Sequence, residues 1–396
     1  MTVKALISDL DGTLIRGDNS IVPGYDEALA QLKSMGIKLV IFSNHPRHDV
    51  ENKIKNLAMP PDLIVTRDDV NISKGSPEWI KHVTQKIGLK RNELLYIGDT
   101  DLDMKTAVNS KVIYFNAEWS NPGYKYGLPI ESPILLPIII KNFFLKKHLW
   151  YWSVDSKDLK GNAVISRALI KKRDIGVGSF KDDLLDWAKY EKESKLGSLT
   201  MSEFVFYHII GSLYLDDSFS KIDTIALIPG HAGDYNPLIQ NSMGRMARLF
   251  RETFIPDLLH RYKAAAKSSF ARTSGKSPGF QNQVSTMHLN CEPKFRSKAI
   301  ENKTIFIMDD FITEGFTTEW ARNLLYNANA KMVITGAIGA FHSAIEIQNI
   351  DNSIKWDSYS PVDIDAKYIH SQIVFGKEDT DALDEVANSY KEVGGT

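Results

Sequence analysis

Two short apolar runs in this chain end in closely spaced acids. Val3–Ser8 leads into Asp9-Leu10-Asp11-Gly12-Thr13, and Ile305–Met308 leads into Asp309-Asp310, followed by Phe311-Ile312-Thr313-Glu314-Gly315-Phe316-Thr317-Thr318. Short apolar runs bounded by turn residues read as strands buried on both faces, and each run gives way to a loop at its acids. In open parallel sheets, side chains and free backbone N–H groups converge at the carboxyl ends of the strands, which is where ligands bind. The pattern predicts an α/β chain with two such ligand sites.

At 396 residues the chain is long enough for two or three domains, each with its own core. Its formal net charge of −1 provides no general field for nucleic acid or an anionic membrane, so small anions must be held by local sites. Cys291 is the only cysteine, which excludes an intrachain disulfide framework and a Cys-rich metal site and fits a reducing cytoplasm. The start, Met1-Thr2-Val3-Lys4, runs directly into a strand pattern without an export signal, so a cytoplasmic location is expected. Pro133 to Leu145 is the most apolar stretch; it is too short to span a bilayer and reads as a buried connector or docking segment, leaving a homo-oligomer open.

From residue 3 to about 118, strand and helix patterns alternate, which implies a parallel sheet with crossover helices. The chemistry-bearing residues fall at strand ends. Asp9 and Asp11 precede the break at Gly12, Ser43-Asn44 follows the strand Lys38–Phe42, Lys74 precedes a helix, and Asp99 and Asp103 follow Leu94–Ile97 through Gly98. In order and type these four segments resemble the motifs of the haloacid dehalogenase (HAD) superfamily of phosphotransferases. The resemblance implies a Rossmann-like domain over residues 1–118 in which Asp9 is the nucleophile, forming an aspartyl-phosphate. It implies that Asp11 protonates the leaving oxygen and then activates water, while Ser43 and Lys74 hold the phosphoryl oxygens. It further implies Mg²⁺ bound by Asp9, the Asp11 carbonyl and Asp99, supported by Asp103. Gly75 follows Lys74 where the family usually has proline. The gaps between motifs hold only single helices, so the domain reads as capless, with a site that accepts bulky substrates or borrows a lid from the carboxy-terminal half.

Residues 119–200 read as a connector and helical segment, with helical periodicity near Ala163–Lys172; a second domain spans 201–350, and 351–396 reads as an extension packed on it. In the second domain, Ile222–Ile228 ends in Pro229-Gly230-His231, and the Ile305 strand ends in Asp309-Asp310 with Thr313-Glu314-Gly315-Phe316-Thr317 opening a helix. This resembles the phosphoribosyl pyrophosphate (PRPP) motif of type I phosphoribosyltransferases and predicts a second parallel-sheet domain. The resemblance implies that Asp309 and Asp310 contact ribose hydroxyls, that Thr313, Gly315, Phe316 and Thr317 hold the 5′-phosphate, and that Pro229, Gly230 and His231 form the pyrophosphate loop. Glu314 departs from the small residues usual at its position, and Arg272, Thr273, Gln281 and Gln283 give a looser match to the competence-protein type. The basic run Lys263, Lys267, Arg272 and Lys276 reads as a loop that closes over phosphates or as a solvated surface. His148, His260, His288 and His342 lack metal-ligand spacing.

Together the resemblances imply a bifunctional, Mg²⁺-dependent enzyme of nucleotide metabolism. PRPP and a nitrogenous base would give a nucleoside 5′-phosphate, which the phosphatase half would convert to a nucleoside. Two alternatives stand beside it: a phosphatase regulated by a non-catalytic PRPP- or nucleotide-binding domain, and a phosphatase of nucleic-acid ends, which the near-neutral charge disfavours. No membrane partner is expected.

Overall fold

The structure is a computed structural model, in which residues 2–171, 179–266, 279–290 and 298–394 are described. The chain divides into two compact units. The first comprises Met1–Lys147, Ile210–Ser220 and Arg248–Arg251; the second comprises His148–Ile209, Lys221–Ala247 and Glu252–Thr396.

Unit 1 is built on strands β1 (Ala5–Asp9), β2 (Lys38–Ser43), β3 (Leu63–Thr66), β4 (Leu94–Gly98), β5 (Ile113–Ala117) and β6 (Leu128–Ile130). They pair in parallel in the order β3-β2-β1-β4-β5-β6. Every residue of β1, β4 and β5 is buried, as expected of strands covered on both faces. The chain first winds from β1 through β2 to β3, then returns to the other side of β1 with β4. The carboxyl ends of β1 and β4 therefore flank the point where strand order reverses, the place an α/β sheet opens a crevice. Among the helices are α1 (Tyr25–Ser34), α2 (Arg47–Ile54), the short α3 (Arg67–Val70), α4 (Glu78–Ile87) and α5 (Asp101–Asn109). Thr100 and Asp103 form a capping box at the start of α5. One core cluster of this unit is centred on Ile7, Phe42, Trp79 and Tyr96. The apolar stretch after Pro133 forms α6 (Leu135–Ile139) and a π-turn at Ile140–Phe144, with Phe143 and Phe144 buried.

Unit 2 departs from the all-parallel sheet expected of it. Strands β7 (Trp152–Lys157), β8 (Ala163–Lys171), β11 (Thr224–Leu227), β12 (Thr253–Phe254), β15 (Thr304–Ile312), β16 (Met332–Ala340) and β19 (Lys377–Glu378) form a sheet of order β12-β11-β15-β16-β8-β7-β19, while β9 (Lys195–Leu196) pairs with β10 (Leu199–Thr200) and β17 (Ala344–Ile350) with β18 (Ile369–Phe375) in separate ribbons. The run from β12 to β8 is parallel, whereas β7 and β19 are antiparallel additions, so the sheet is mixed. The segment with helical periodicity near Ala163–Lys172 is strand β8. Its Val164, Ile165 and Ile170 favour extended backbone, and pairing with β16 on one side and β7 on the other overrides the local pattern. A helix spans Pro237–Phe250, and the chain continues into β12 and the hairpin β13–β14 (Leu259–Arg261 with Met287–Leu289). Trp320, Phe280, Ile305 and Leu324 belong to one core cluster of the unit. The extension after residue 351 includes a helix, Thr380–Glu392. Among the described residues, no helix is long and apolar enough to cross a membrane.

Candidate functional sites

In unit 1 the strand ends bring together a buried charge cluster. Lys74 Nζ bonds Asp9 Oδ1 and lies 2.7 Å from Asp103 Oδ1, with all three side chains nearly inaccessible. Tyr96 Oη also donates to Asp103 Oδ1 at 2.8 Å, while Thr100 bonds Asp103 Oδ2 through its amide at 3.1 Å and through its hydroxyl. Asp99 accepts from Thr13 Oγ1 at 3.1 Å and from Ser120 Oγ at 2.9 Å, and its carbonyl accepts from Asn121 Nδ2 at 2.7 Å. Gly12 lets the loop after β1 pass close to Asp99: a Cβ there would lie 2.3 Å from Asp99 Oδ2.

The electrostatics follow from this crowding. Burial, followed by the neighbouring Asp103 carboxylate, pushes Asp9 well above the usual carboxylate range, against the pull of Lys74. Burial also raises Asp99. For Lys74, burial opposes the charge, but Asp103 and Asp9 outweigh it and raise the ammonium's pKa. Asp9, Asp99 and Asp103 offer carboxylate oxygens within 4.8 Å of one another. Three carboxylates against one ammonium form an oxygen-only donor set with excess negative charge, which fits a hard divalent cation. Asp103 already accepts two bonds at each oxygen, so Asp9 and Asp99 are the better ligands and Asp103 acts mainly to hold Lys74.

The remaining candidates of this unit lie beside the cluster. Ser43 is buried at the end of β2 and accepts from the His45 amide at 3.2 Å. The side chain of Asn44 accepts from the Lys74 amide at 3.1 Å, joining the loop after β2 to the loop that carries Lys74. Asp11 is half-exposed and its carboxylate faces α2: Oδ1 is 2.5 Å from Lys53 Nζ, and Oδ2 is 3.2 Å from His45 Nε2. The departure at Gly75 has a backbone reason. Its φ is 106°, and its N–H donates to Thr106 Oγ1 at 2.6 Å, so proline, which is locked near −65° and lacks that donor, cannot take this conformation.

Unit 2 contains a cleft of about 730 Å³ whose walls include Pro229, Gly230, His231, Asp309, Asp310, Thr313, Phe316 and Thr317. Of the acidic pair, the phosphate loop and the pyrophosphate loop, every candidate is on its wall except Gly315, which is buried at the start of the helix Phe316–Asn327. The acidic pair lies within β15 rather than after it, since pairing with β16 carries the strand on to Ile312. Each acid folds back on the following amide: Asp310 N donates to Asp309 Oδ1 at 2.8 Å, and Phe311 N to Asp310 Oδ1 at 2.6 Å. Burial, then the adjacent Asp310 carboxylate, pushes Asp309 well above its usual range. Glu314 is exposed yet still on the cleft wall.

Sequence reasoning missed Arg261. This buried residue on β13 lines the cleft and donates to Gly230 O at 2.8 Å, Thr286 Oγ1 at 2.7 Å and Gln283 Oε1 at 3.0 Å. Burial lowers its guanidinium pKa against the attraction of Asp309. A buried cation held by neutral acceptors beside the turn at Gly230 is ready to receive an anion. Of the looser candidates, Gln283 lines the cleft and Gln281 donates to Ile364 O at 2.6 Å. Arg272, Thr273, Lys267 and Lys276 lie outside the described residues. Thr13, His45, Lys53, Ser120 and Asn121 were also missed. Thr13 and His45 adjoin the motifs, and the turn Ser120-Asn121-Pro122-Gly123 after the fifth strand was a usable signal. Lys53 had none. His148, without ligand spacing in sequence, meets Asp379 at 2.9 Å and Asp381 at 3.7 Å, acids more than 200 residues away.

Comparison with known proteins bears on the first unit. The family profile for haloacid dehalogenase-like hydrolases matches residues 16–117, a span that begins just after Asp9 and Asp11. A phosphoglycolate phosphatase from Pectobacterium atrosepticum is 32% identical over 107 residues, covering 26% of this chain and 44% of that protein. The pyrophosphatase PpaX of Bacillus cereus is 30% identical over 102 residues, covering 25% and 47%. The chain thus spans about half the length of these curated relatives. A HAD-superfamily hydrolase structure from Ehrlichia chaffeensis, 18% identical, covers 35% of this chain and 97% of its own, with a TM-score of 0.31. With a parallel sheet that sets Asp9, Lys74 and Asp99 around one crevice, the amino-terminal region of this chain is a haloacid dehalogenase-like hydrolase domain.

Proposed function

We propose that the amino-terminal domain hydrolyses phosphate monoesters through Asp9, and that unit 2 transfers a phosphoribosyl group from PRPP to a nitrogenous base in a cytoplasmic setting. The observation that carries the hydrolytic half is the buried cluster of Asp9, Lys74 and Asp99 at the strand-order reversal. In the first step an Asp9 oxygen bonds to phosphorus as the ester P–O bond breaks, and the leaving oxygen takes a proton from the Asp11 carboxyl. In the second, water bonds to phosphorus and gives a proton back to Asp11, releasing Asp9 and orthophosphate. Lys74 and Ser43 hold the phosphoryl oxygens. Mg²⁺ held by Asp9 and Asp99, with the Asp11 carbonyl as the resemblance implies, would neutralise phosphoryl charge and allow the carboxylate to approach a dianion.

The transfer half rests on a cleft that gathers the acidic pair, the loop at Thr313–Thr317, the turn at Gly230 and Arg261. A base nitrogen would bond to the ribose anomeric carbon as the bond to pyrophosphate breaks, with Asp309 and Asp310 on the ribose hydroxyls and Arg261 beside the departing pyrophosphate. The nucleoside 5′-phosphate would then pass to Asp9, yielding a nucleoside; fusion favours this by raising the local concentration of the intermediate. The relative named as a pyrophosphatase supports a second reading, in which the Asp9 site cleaves the pyrophosphate that transfer releases and so draws the transfer forward.

Phosphorus NMR of the protein with Mg²⁺, PRPP and a panel of bases tests these readings, alongside Asp9→Asn and Asp310→Asn. Base- and Asp310-dependent consumption of PRPP, with Asp9-dependent loss of the nucleotide signal, establishes the nucleoside route. Retained nucleotide with Asp9-dependent loss of pyrophosphate establishes the second reading. PRPP left intact beside Asp9-dependent hydrolysis of nucleotides makes unit 2 a regulatory binding domain instead.

A further inference from the structure

Resting on the hydrolytic reading above, we infer that Lys53, with His45, is a positioning residue that sets the Asp11 carboxyl for proton transfer to the leaving group. Asp11 lies beside the buried cluster of the proposed machinery rather than within it. Its side chain is 44% exposed, whereas those of Asp9 and Lys74 are each 6% exposed. A half-exposed aspartate on a loop samples several rotamers, and a proton donor that must reach a leaving oxygen loses effectiveness with each of them.

Two contacts restrict that freedom. Lys53 Nζ donates to Oδ1 at 2.5 Å, and His45 Nε2 lies 3.2 Å from Oδ2, so each oxygen has a neighbour. Both partners belong to the segment that follows β2. His45 is two residues beyond Ser43, to whose Oγ its amide donates, and Lys53 lies in the last turn of α2. The same segment anchors the Lys74 loop through Asn44, so the group that holds the phosphoryl oxygens and the group that aims the proton donor share one support. Lys53 is only partly exposed, at 24% of its side chain, as expected of a lysine committed to one contact rather than extended into solvent. In the full reaction Asp11 gives its proton to the leaving oxygen while the P–O bond breaks and the Asp9–phosphorus bond forms. Lys53 and His45 touch neither reacting atom and act only through the orientation of Asp11.

The test is the dependence of kcat/KM on leaving-group pKa for a series of aryl and alkyl phosphates with Mg²⁺, measured for the full chain and for Lys53→Met, Lys53→Arg, His45→Asn and Asp11→Asn. A good leaving group departs without a proton and a poor one does not, so a misaimed Asp11 penalises alkyl esters selectively. We expect Lys53→Met to lose about 10- to 100-fold on the alkyl esters and under about threefold on the most acidic phenols, steepening the dependence toward that of Asp11→Asn. Lys53→Arg should recover most of the loss. An equal loss across the series in Lys53→Met would mark a structural contribution and overturn the inference. So would an unchanged slope with a raised KM only for esters bearing a second anionic group, which would make Lys53 a substrate-binding cation. A steep slope in Asp11→Asn with wild-type behaviour in Lys53→Met would sink this inference alone. Absence of hydrolysis across the whole series by the wild-type chain would remove the hydrolytic reading together with it.

Discussion

The two sites handle buried charge in opposite ways. In unit 1, Asp9 and Asp103 share the ammonium of Lys74, Tyr96 and Thr100 donate to Asp103, and Thr13 and Ser120 donate to Asp99. In unit 2, Asp309 and Asp310 are neighbours in one strand and each accepts from the amide of the residue that follows it, while Arg261 donates to a carbonyl, a hydroxyl and an amide oxygen. The first site is an ion network tied by direct contact. The second keeps a cation and two carboxylates on the same cleft wall without an ion pair among the described residues. A site that stabilises its own charges in the resting state is robust, whereas one that leaves them separate is poised to bind a ligand carrying both hydroxyls and anionic oxygens.

The largest expected effect compares the two buried cations directly. Lys74→Met leaves two buried carboxylates without their counter-charge and should cost about 3–5 kcal/mol of stability. Arg261→Met removes hydrogen bonds to neutral acceptors and should cost about 1–3 kcal/mol. Urea unfolding followed by tryptophan fluorescence measures both, read as separate transitions where the two units unfold separately. Equal losses would erase the distinction. Added Mg²⁺ should recover part of the Lys74→Met loss, because a cation bound by Asp9 and Asp99 supplies the missing positive charge, and should leave Arg261→Met unchanged. Chelation should reverse that recovery.

Next comes the backbone that presents Lys74. Gly75→Pro installs the residue usual in the resembling family, but φ at this position is 106° and the N–H is bonded to Thr106. A loss of about 3 kcal/mol or more is expected, with a fall in phosphatase activity as Lys74 shifts. If Gly75→Pro proved neutral, the loop would have a second conformation compatible with proline, and the directly tied ion network of the first site would be a property of only one state.

What could be read from the sequence divides along the same line. Asp9 and Asp99 were legible because a parallel sheet delivers them from strand ends, which are marked by an apolar run that stops, while Lys74, in the loop before α4, and Asp103, in the first turn of α5, were legible from the motif order around those ends. Asp309, Asp310 and Thr313–Thr317 were legible for the same reason, although the strand carrying the acids runs on to Ile312 because β16 pairs with it that far. Lys53 and Arg261 were not legible: one is on the flank of a helix and the other on a two-stranded hairpin, and only the fold decides what they face. The antiparallel additions β7 and β19 and the strand character of β8 were hidden likewise. Amphipathic periodicity over nine residues fits either secondary structure, and pairing partners more than 150 residues distant made the choice for β8.

The smallest expected effect probes the uncompensated acids. Burial and the Asp310 carboxylate raise the pKa of Asp309, so between its unfolded pKa and its folded one the native state binds the proton more tightly. Its contribution to stability is therefore fully present below the unfolded pKa, near 3.8, and is lost as pH rises through the folded value. Asp309→Asn keeps an acceptor for the Asp310 amide and removes the charge, so it should stabilise unit 2 at pH 7 by about 1 kcal/mol, a gain that disappears toward pH 4. Unfolding curves at the two pH values measure this difference, and phosphorus NMR with PRPP shows what it costs. Gain in stability with loss of PRPP turnover is the signature of a carboxylate kept for its ligand. Destabilisation at pH 7 would mean that Asp309 is held by a favourable partner after all, and that the two sites manage charge in the same way.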